Sequence, residues 1–162
     1  MISRRPSQKF GIDSRNIHAY VLGEHGDSEL AAWSSATVSG VPINTFCEMR
    51  GHFNHDEATE RIAENVKNSA YEIIAKKKAT YFGVAMAVRR ICEAIIRDEK
   101  SILPVSNLMH GEFGISDISL SMPAIVGAHG VENRIPITLD EEETEKLQSS
   151  AGTLKKIIEE VL

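Results

Sequence analysis

Apolar and polar residues follow two different patterns along the chain, the alternation of a strand and the three- to four-residue spacing of a helix. The first strand-like pattern begins near residue 17. Ile17–Leu22 is rich in β-forming residues with partial alternation, which predicts a strand. Gly23–Ser28, a polar loop with two glycines, follows directly. Leu30–Val38 is a second apolar segment, and Gly40–Ile43 interrupts it because its proline has no amide hydrogen for a continuing helix. The pattern therefore predicts a strand that leads into a glycine-containing polar loop.

A helical rhythm of apolar residues occupies the middle of the chain, from Asn54 to about Glu99. Between its two halves, Lys76–Lys78 suits a helix C-terminus, and Thr80 and Gly83 are weak helix formers. We therefore expect two consecutive helices with a break or kink near Thr80. Each helix has one apolar stripe, and the stripes are Ile62, Val66, Ala70, Ile73 and Ile74, and then Val84, Val88, Ile91 and Ile95.

Short strand-like segments, separated by glycine, asparagine, aspartate and serine, fill the region from Ser101 to Leu139. Spacings this short favour antiparallel hairpins over parallel crossovers. The prolines at 104, 123 and 136 favour positions at sheet edges or strand ends, because proline cannot donate to a β-ladder. The predicted strands are Ile102–Val105, Ile118–Met122, Ala124–Val126 and Ile135–Ile137.

The last predicted element is an amphipathic helix. Asp140 has the character of an N-cap, and Glu143 three residues later gives a variant of the capping box. The apolar positions follow at intervals of four and three, and they are Leu147, Ala151, Leu154, Ile158 and Val161. The order of strand, helices, hairpins and helix indicates an α+β fold, and the length suits one domain.

Composition and charge exclude several classes of function. The 162 residues are 42% hydrophobic and 25% charged, as in ordinary globular proteins, and a net charge of −5 gives no general reason to bind nucleic acid. No apolar run approaches the ~20 residues of a membrane span. Cys47 and Cys92 are too few for a disulfide framework, which suits a reducing cytoplasm. His52 and His55 lack further ligands at a recognisable spacing, so no metal site is expected.

Among six histidines, the local sequence singles out His25. It lies in Gly23–Ser28, directly after the apolar strand, between glycines that allow a ligand to approach the backbone. Histidine can exchange a proton near neutral pH without a special environment. The spacing alone leaves a plain polar turn as the alternative.

The segment Asn16–Ser28 closely resembles the catalytic-histidine segment of the L-lactate dehydrogenase family. A glutamate, Glu24, precedes the histidine where related malate dehydrogenases usually carry glycine, which favours the lactate side. The resemblance covers roughly residues 8–162 and implies the family's C-terminal catalytic domain over residues 1–162, without the N-terminal NAD-binding Rossmann domain. It continues in Trp33–Ser34, Gly40–Ile43, Lys78–Gly83, Leu103–Ser106, Leu120–Pro123 and the last helix.

The resemblance implies roles for four residues. His25 matches the residue that gives a proton to the carbonyl oxygen of pyruvate while NADH delivers a hydride, and that takes the proton back in lactate oxidation. Thr80 matches a residue of the substrate pocket, and Val84 an apolar residue packed against the nicotinamide ring. Without the resemblance, Thr80 is a helix-terminal threonine and Val84 a core residue. His18 matches a histidine that, in regulated bacterial members, helps bind a phosphate of fructose 1,6-bisphosphate; a partly buried strand histidine is the alternative.

Other parts of the family's site fall outside the matching residues. The arginine that grips the substrate carboxylate would fall at Met1, the aspartate that orients the histidine would fall before it, and the arginine partner of His18 would fall at Ser3. We therefore expect NAD in the complete enzyme and none on this chain alone, which would be inactive in isolation. The expected partners are pyruvate or lactate, the missing NAD-binding half, and further copies in a homo-oligomer. The alternative is a non-catalytic truncated module that acts only in oligomerisation.

Overall fold

A computed structural model describes residues 11–78 and 81–161 of the chain. Within these ranges the chain folds into two antiparallel sheets and a set of long helices, which confirms the predicted α+β fold. The elements follow one another along the chain as β1 Ile17–Leu22, β2 Leu30–Val38, β3 Val41–Pro42, α1 Ile43–Met49, α2 His55–Lys77, α3 Tyr81–Ile96, β4 Ser101–His110, β5 Ser116–Gly127, β6 Gly130–Arg134 and α4 Glu141–Val161. Short 3-10 turns precede two of these strands, Ser14–Asn16 before β1 and Glu112–Gly114 before β5.

The first sheet has the order β1-β2-β3. The predicted first strand is confirmed, and the apolar segment that the sequence pattern leaves unassigned is β2. The interruption after it is a tight hairpin in which Ser39 and Gly40 both have positive φ, 51° and 85°, as a two-residue primed turn requires. Pro42 is therefore tolerated, because it lies on the edge strand β3.

The second sheet, with the order β4-β5-β6, corrects two expectations. Two predicted strands are one strand, β5, and Pro123 lies in the middle of this central strand rather than at an edge or a strand end. Pro123 is paired with Pro104 of β4, but its backbone oxygen points away from β4 and accepts from the Ile135 amide, so its nitrogen points to that side too. The ladder to β6 ends there, at the pair of Ala124 and Arg134, so no amide hydrogen of residue 123 is needed. The segment 135–137 is not a strand, since the ladder to β5 ends at Arg134 and only the Ile135 amide still bonds to Pro123 O.

The two sheets are joined where β1 ends. Gly23 and Ser121 exchange two backbone hydrogen bonds, at 3.1 and 2.9 Å between nitrogen and oxygen. The main core lies around this junction and combines residues of β1, β2, β4, β5 and α4, among them Leu22, Met109, Leu120 and Leu147. A smaller cluster of Ile17, Ala36, Val38 and Ile43 lies at the other end of the first sheet. The start of the polar loop is thus fixed to the centre of the domain.

The two predicted consecutive helices are α2 and α3. α2 ends where the sequence predicts, with Lys78 in the left-handed conformation and its amide bonded to Ile74 O at 2.7 Å. Thr80, the predicted break point, lies outside the described residues. Much of both apolar stripes is exposed, because the core contact of α3 is at its far end, around the buried Ala94. No helix within the described ranges is long and apolar enough to cross a membrane.

The start of α4 confirms the predicted capping box. The Asp140 carboxylate accepts a hydrogen bond from the Glu143 amide at 2.8 Å, and the Glu143 carboxylate accepts one from the Asp140 amide at 3.4 Å. The same carboxylate, which is buried, also accepts from the amide of Ser34 on β2 at 3.0 Å and from the Ser34 hydroxyl. Glu143 therefore both caps α4 and attaches it to the first sheet.

Replacing this carboxylate tests its double role. Glu143→Ala leaves the amide of Ser34 without its part-buried acceptor and removes the capping carboxylate, and we expect a loss of about 1–3 kcal/mol in the free energy of unfolding. Glu145→Ala removes the same charge from an exposed position of the same helix and is the matched control. Urea unfolding followed by circular dichroism measures both, and equal stability of the two variants would contradict the attachment role.

Candidate active site

The loop between β1 and β2 lies against α4 at its first residue. Gly23 has a φ of +93°, a conformation that residues with a side chain rarely adopt. A Cβ atom there would lie 2.8 Å from the hydroxyl oxygen of Ser150, which is fully buried on α4. Glycine thus serves two needs at this position, the turn out of β1 and the close approach to the helix.

Hydrogen bonds hold the loop on both sides of His25. The Glu24 amide donates to Ser150 Oγ at 2.9 Å, although the two residues are 126 positions apart. The Ser28 hydroxyl donates to Glu24 Oε2 at 2.6 Å and lies 3.2 Å from Ser150 Oγ. The Glu24 carboxylate folds back beneath the loop, into the space that a side chain at Gly26 would occupy. The residues that flank the histidine are therefore fixed to the body of the domain.

The His25 side chain itself is fully exposed at the apex of this loop. Its Nδ1 atom lies 4.0 Å from Oε2 of Glu29, four residues further along, which allows an ion pair when the imidazole is protonated. The loop thus combines a fixed backbone with a side chain that an incoming molecule can reach, as proton exchange with a substrate requires.

Asp27 faces α2. Its Oδ1 atom accepts a hydrogen bond from the hydroxyl group of Tyr71 at 2.9 Å. This hydrogen bond, followed by the charge of the carboxylate, raises the pKa of Tyr71 above its ordinary value, because the phenolate would be repelled by Asp27. The long helix α2 therefore touches the histidine loop through a polar contact.

The other predicted site residues lie on different elements. His18 lies on strand β1 opposite Thr37 and has an exposed side chain. Val84 lies in the first turn of α3 with 58% of its surface exposed, so the alternative of a core residue is wrong. Thr80, Met1 and Ser3 lie outside the described residues.

The two histidines considered above as metal ligands, His52 and His55, line a small cavity away from the loop. His52 and His55 lie there with Trp33 and Cys47, between β2 and the start of α2. His55 Nε2 is 3.3 Å from the carboxylate of Glu48. Across the described part of the chain, no three or more histidine, cysteine, aspartate or glutamate residues are grouped so as to hold a metal ion.

Three residues around the loop, Ser28, Tyr71 and Ser150, have no signal in the sequence pattern. The pattern marks Glu24 only by its place before the histidine. The partial alternation of apolar residues indicates the strand, and the glycines indicate the loop after it. A serine on an amphipathic helix, in contrast, gives no local sign of a hydrogen-bond partner 126 residues away. Tertiary contacts of this kind are visible only in the folded chain.

Comparison with protein families identifies the class. The family model described as "lactate/malate dehydrogenase, alpha/beta C-terminal domain" matches residues 3–162. The chain belongs to this family. The resemblance inferred from its motifs is thereby confirmed.

The relatives and the solved structure that this chain resembles are named L-lactate dehydrogenases. The chain is 49% identical over 152 residues to the L-lactate dehydrogenase of Acetivibrio thermocellus, covering 94% of this chain and 48% of that protein. It is 47% identical to L-lactate dehydrogenase 1 of Clostridium acetobutylicum, covering 96% and 50%. The structure of the minor L-lactate dehydrogenase of Enterococcus mundtii in its ligand-bound form matches with a TM-score of 0.92 at 40% identity, covering 99% of this chain and 51% of that one. The chain thus spans about half the length of these relatives.

The contact between the loop and α2 can be tested by titration. Asp27→Asn removes the carboxylate charge, and we expect the pKa of Tyr71 to fall toward its ordinary value. Absorbance of tyrosinate as pH rises, in a background where Tyr20 and Tyr81 are phenylalanine, isolates the Tyr71 signal. Asp117→Asn, an exposed aspartate at another site, is the control and leaves the titration unchanged. An unchanged curve in Asp27→Asn would refute the contact.

Proposed function

We propose that this chain supplies the catalytic-histidine half of an NAD-dependent L-lactate dehydrogenase, which interconverts pyruvate and lactate. The observation that carries the proposal is the placement of His25: a fully exposed imidazole on a loop whose backbone is held at 2.9 Å by a buried side chain. Membership of the family supports the same assignment. Because the chain spans about half of its relatives, the activity belongs to an assembly with an NAD-binding half.

In this proposal His25 is the acid–base residue. Glu29 lies beside Nδ1, so Nε2 is the atom left to face the substrate carbonyl oxygen. A protonated imidazole gives its proton to that oxygen in pyruvate reduction and recovers it in lactate oxidation. The hydride chemistry at the substrate carbon atom would be supplied by a bound nicotinamide cofactor.

The residues described on α3 fit contact with a nicotinamide ring. Val84 offers an apolar side chain that is 58% exposed, next to the exposed rings of Tyr81 and Phe82. The flat face of a heteroaromatic ring packs well against an apolar side chain such as Val84, while its polar substituents bind elsewhere. Val84 as a cofactor contact, Thr80 as a substrate contact and His18 as an effector-phosphate ligand are parts of the proposal.

A chimera tests the function in the context that it requires. The N-terminal half of the Acetivibrio thermocellus L-lactate dehydrogenase is joined to this chain at the matching position, and pyruvate-dependent NADH oxidation is followed. We expect turnover in the chimera and a fall in kcat of about 10²–10⁴-fold in His25→Asn. His129→Asn changes an exposed histidine in the turn after β5 and is the matched control.

The outcomes separate the claims. Equal turnover of the His25→Asn and His129→Asn chimeras would show that another group carries the proton. A folded chimera without any turnover would contradict the dehydrogenase assignment itself. We also expect this chain by itself to show neither NADH oxidation nor NAD binding, and turnover at ~10 s⁻¹ or above, typical of a complete enzyme, would overturn that expectation.

A second candidate function is association alone, and the exposed first half of α3 favours it. Its apolar residues are each more than half exposed, and so much exposed apolar surface on one segment is unusual for a monomer; they are Tyr81, Phe82, Val84, Met86 and Val88. A module of this kind would pair with other copies or with a separate half, without chemistry of its own.

Light scattering measures the molar mass in solution and so shows whether the chain self-associates. We expect this chain to self-associate, and Phe82→Glu to reduce the associated fraction because a charge cannot be buried in an apolar contact. Phe53→Glu is the matched control, since Phe53 is 74% exposed against 81% for Phe82 and lies before α2. A monodisperse monomer at high concentration would count against the association module.

A further inference from the structure

We propose that Ser150, fully buried on α4, is a positioning residue for His25. It touches neither the histidine nor any reacting atom, and it acts by fixing the backbone of the preceding residue, Glu24. The inference rests on the proposed acid–base role of His25. It adds a residue from the last helix of the chain to the set that determines turnover.

The directions of the hydrogen bonds follow from the chemistry of each group. An ionised carboxylate only accepts, so the 2.6 Å contact uses the single hydroxyl proton of Ser28 to reach Glu24. The Ser28 oxygen is then an acceptor for the hydroxyl of Ser150, 3.2 Å away. The Ser150 oxygen accepts in turn from the Glu24 amide at 2.9 Å. The bonds therefore close a ring that begins and ends on Glu24.

Burial makes this ring sensitive to the loss of one member. Ser150 is completely inaccessible to solvent and lies beside Leu147 and Ala151, which are also buried. Water cannot replace the hydroxyl group there without an opening of the core, so the Glu24 amide would lose its partner. A larger residue is excluded as well, because Gly23 lies directly against Ser150. Serine combines the required size with the required donor and acceptor.

The ring orients the histidine because its members lie on both sides of it. Glu24 precedes His25, and Ser28 follows it by three residues. With Glu24 and Ser28 both bonded to Ser150 of α4, the loop that carries the imidazole is held at both ends. Catalytic groups lose much of their effect when displaced by about 1 Å, so loop position translates into turnover.

The decisive comparison is Ser150→Ala against Ser149→Ala in the chimera. Ser149 is the exposed neighbour on the same helix. For Ser150→Ala we expect kcat to fall about 10- to 100-fold with little change in KM for pyruvate, because orientation is lost while substrate contacts remain. Ser149→Ala keeps the parental kcat. If Ser150 served only stability, the substitution would lower the fraction of folded protein and not kcat. We therefore calculate kcat per folded molecule, with the folded fraction measured by circular dichroism.

Amide hydrogen exchange in this chain reports on the ring without any assay of activity. We expect the Glu24 amide to exchange about five- to tenfold faster in Ser150→Ala than in Ser149→Ala, as the loss of one hydrogen bond implies. If Ser150→Ala does not fold, Ser28→Ala breaks the ring from the loop side, and Ser28→Thr, which keeps a hydroxyl group, restores most of kcat.

Each result decides between the claims. An active parent whose kcat is equal in Ser150→Ala and Ser149→Ala, or in Ser28→Ala and Ser28→Thr, overturns the positioning role. Unchanged exchange at Glu24 overturns the ring itself. An inactive parent chimera with the expected exchange pattern refutes the function proposed for His25, and with it any catalytic consequence of Ser150.

Discussion

Two backbone hydrogen bonds between Gly23 and Ser121 are the constraint on which the arrangement depends. They join the sheet of β1 to the sheet of β5 at the residue where the polar loop leaves the core. Each small sheet of three strands has limited apolar surface of its own, so a shared core around this junction is what stabilises both. The chain leaves that junction and presents His25 two residues later.

Buried polar groups on α4 complete the attachment. Glu143 bonds to β2, and Ser150 bonds to the loop that enters β2. Both are buried, and both are satisfied by backbone amides, so their desolvation is compensated. An apolar helix could slide over the sheet with little change in energy, whereas these hydrogen bonds specify one register. The helix therefore fixes the orientation of the first sheet as well as covering its core.

Local signals predicted the local features of the fold. The break between α2 and α3, expected near Thr80, the capping box of Asp140 and the strand that leads to His25 each depend on neighbouring residues, and the observed element bounds agree with all three. The errors concern context. Pro123 is tolerated in a central strand because its nitrogen points away from β4, to the side where the ladder with β6 has ended, and no local pattern reveals this. Val84 has the periodicity of a core residue, yet its side chain is exposed, since periodicity shows a face and not what covers it.

The residues of the candidate site likewise divide into those that a local motif predicts and those that only the folded structure reveals. The motif around His25 pointed to the acid–base candidate, but Ser150 could not be found by pattern, because its partner is distant in sequence. Glu143 and Ser150 are seven residues apart, two helical turns, which places them on one face about 10 Å apart along the axis. A single inserted or deleted residue between them would rotate one by about 100° relative to the other. The number of residues in this short stretch of helix, far from the histidine in sequence, is therefore as constrained as the loop motif itself.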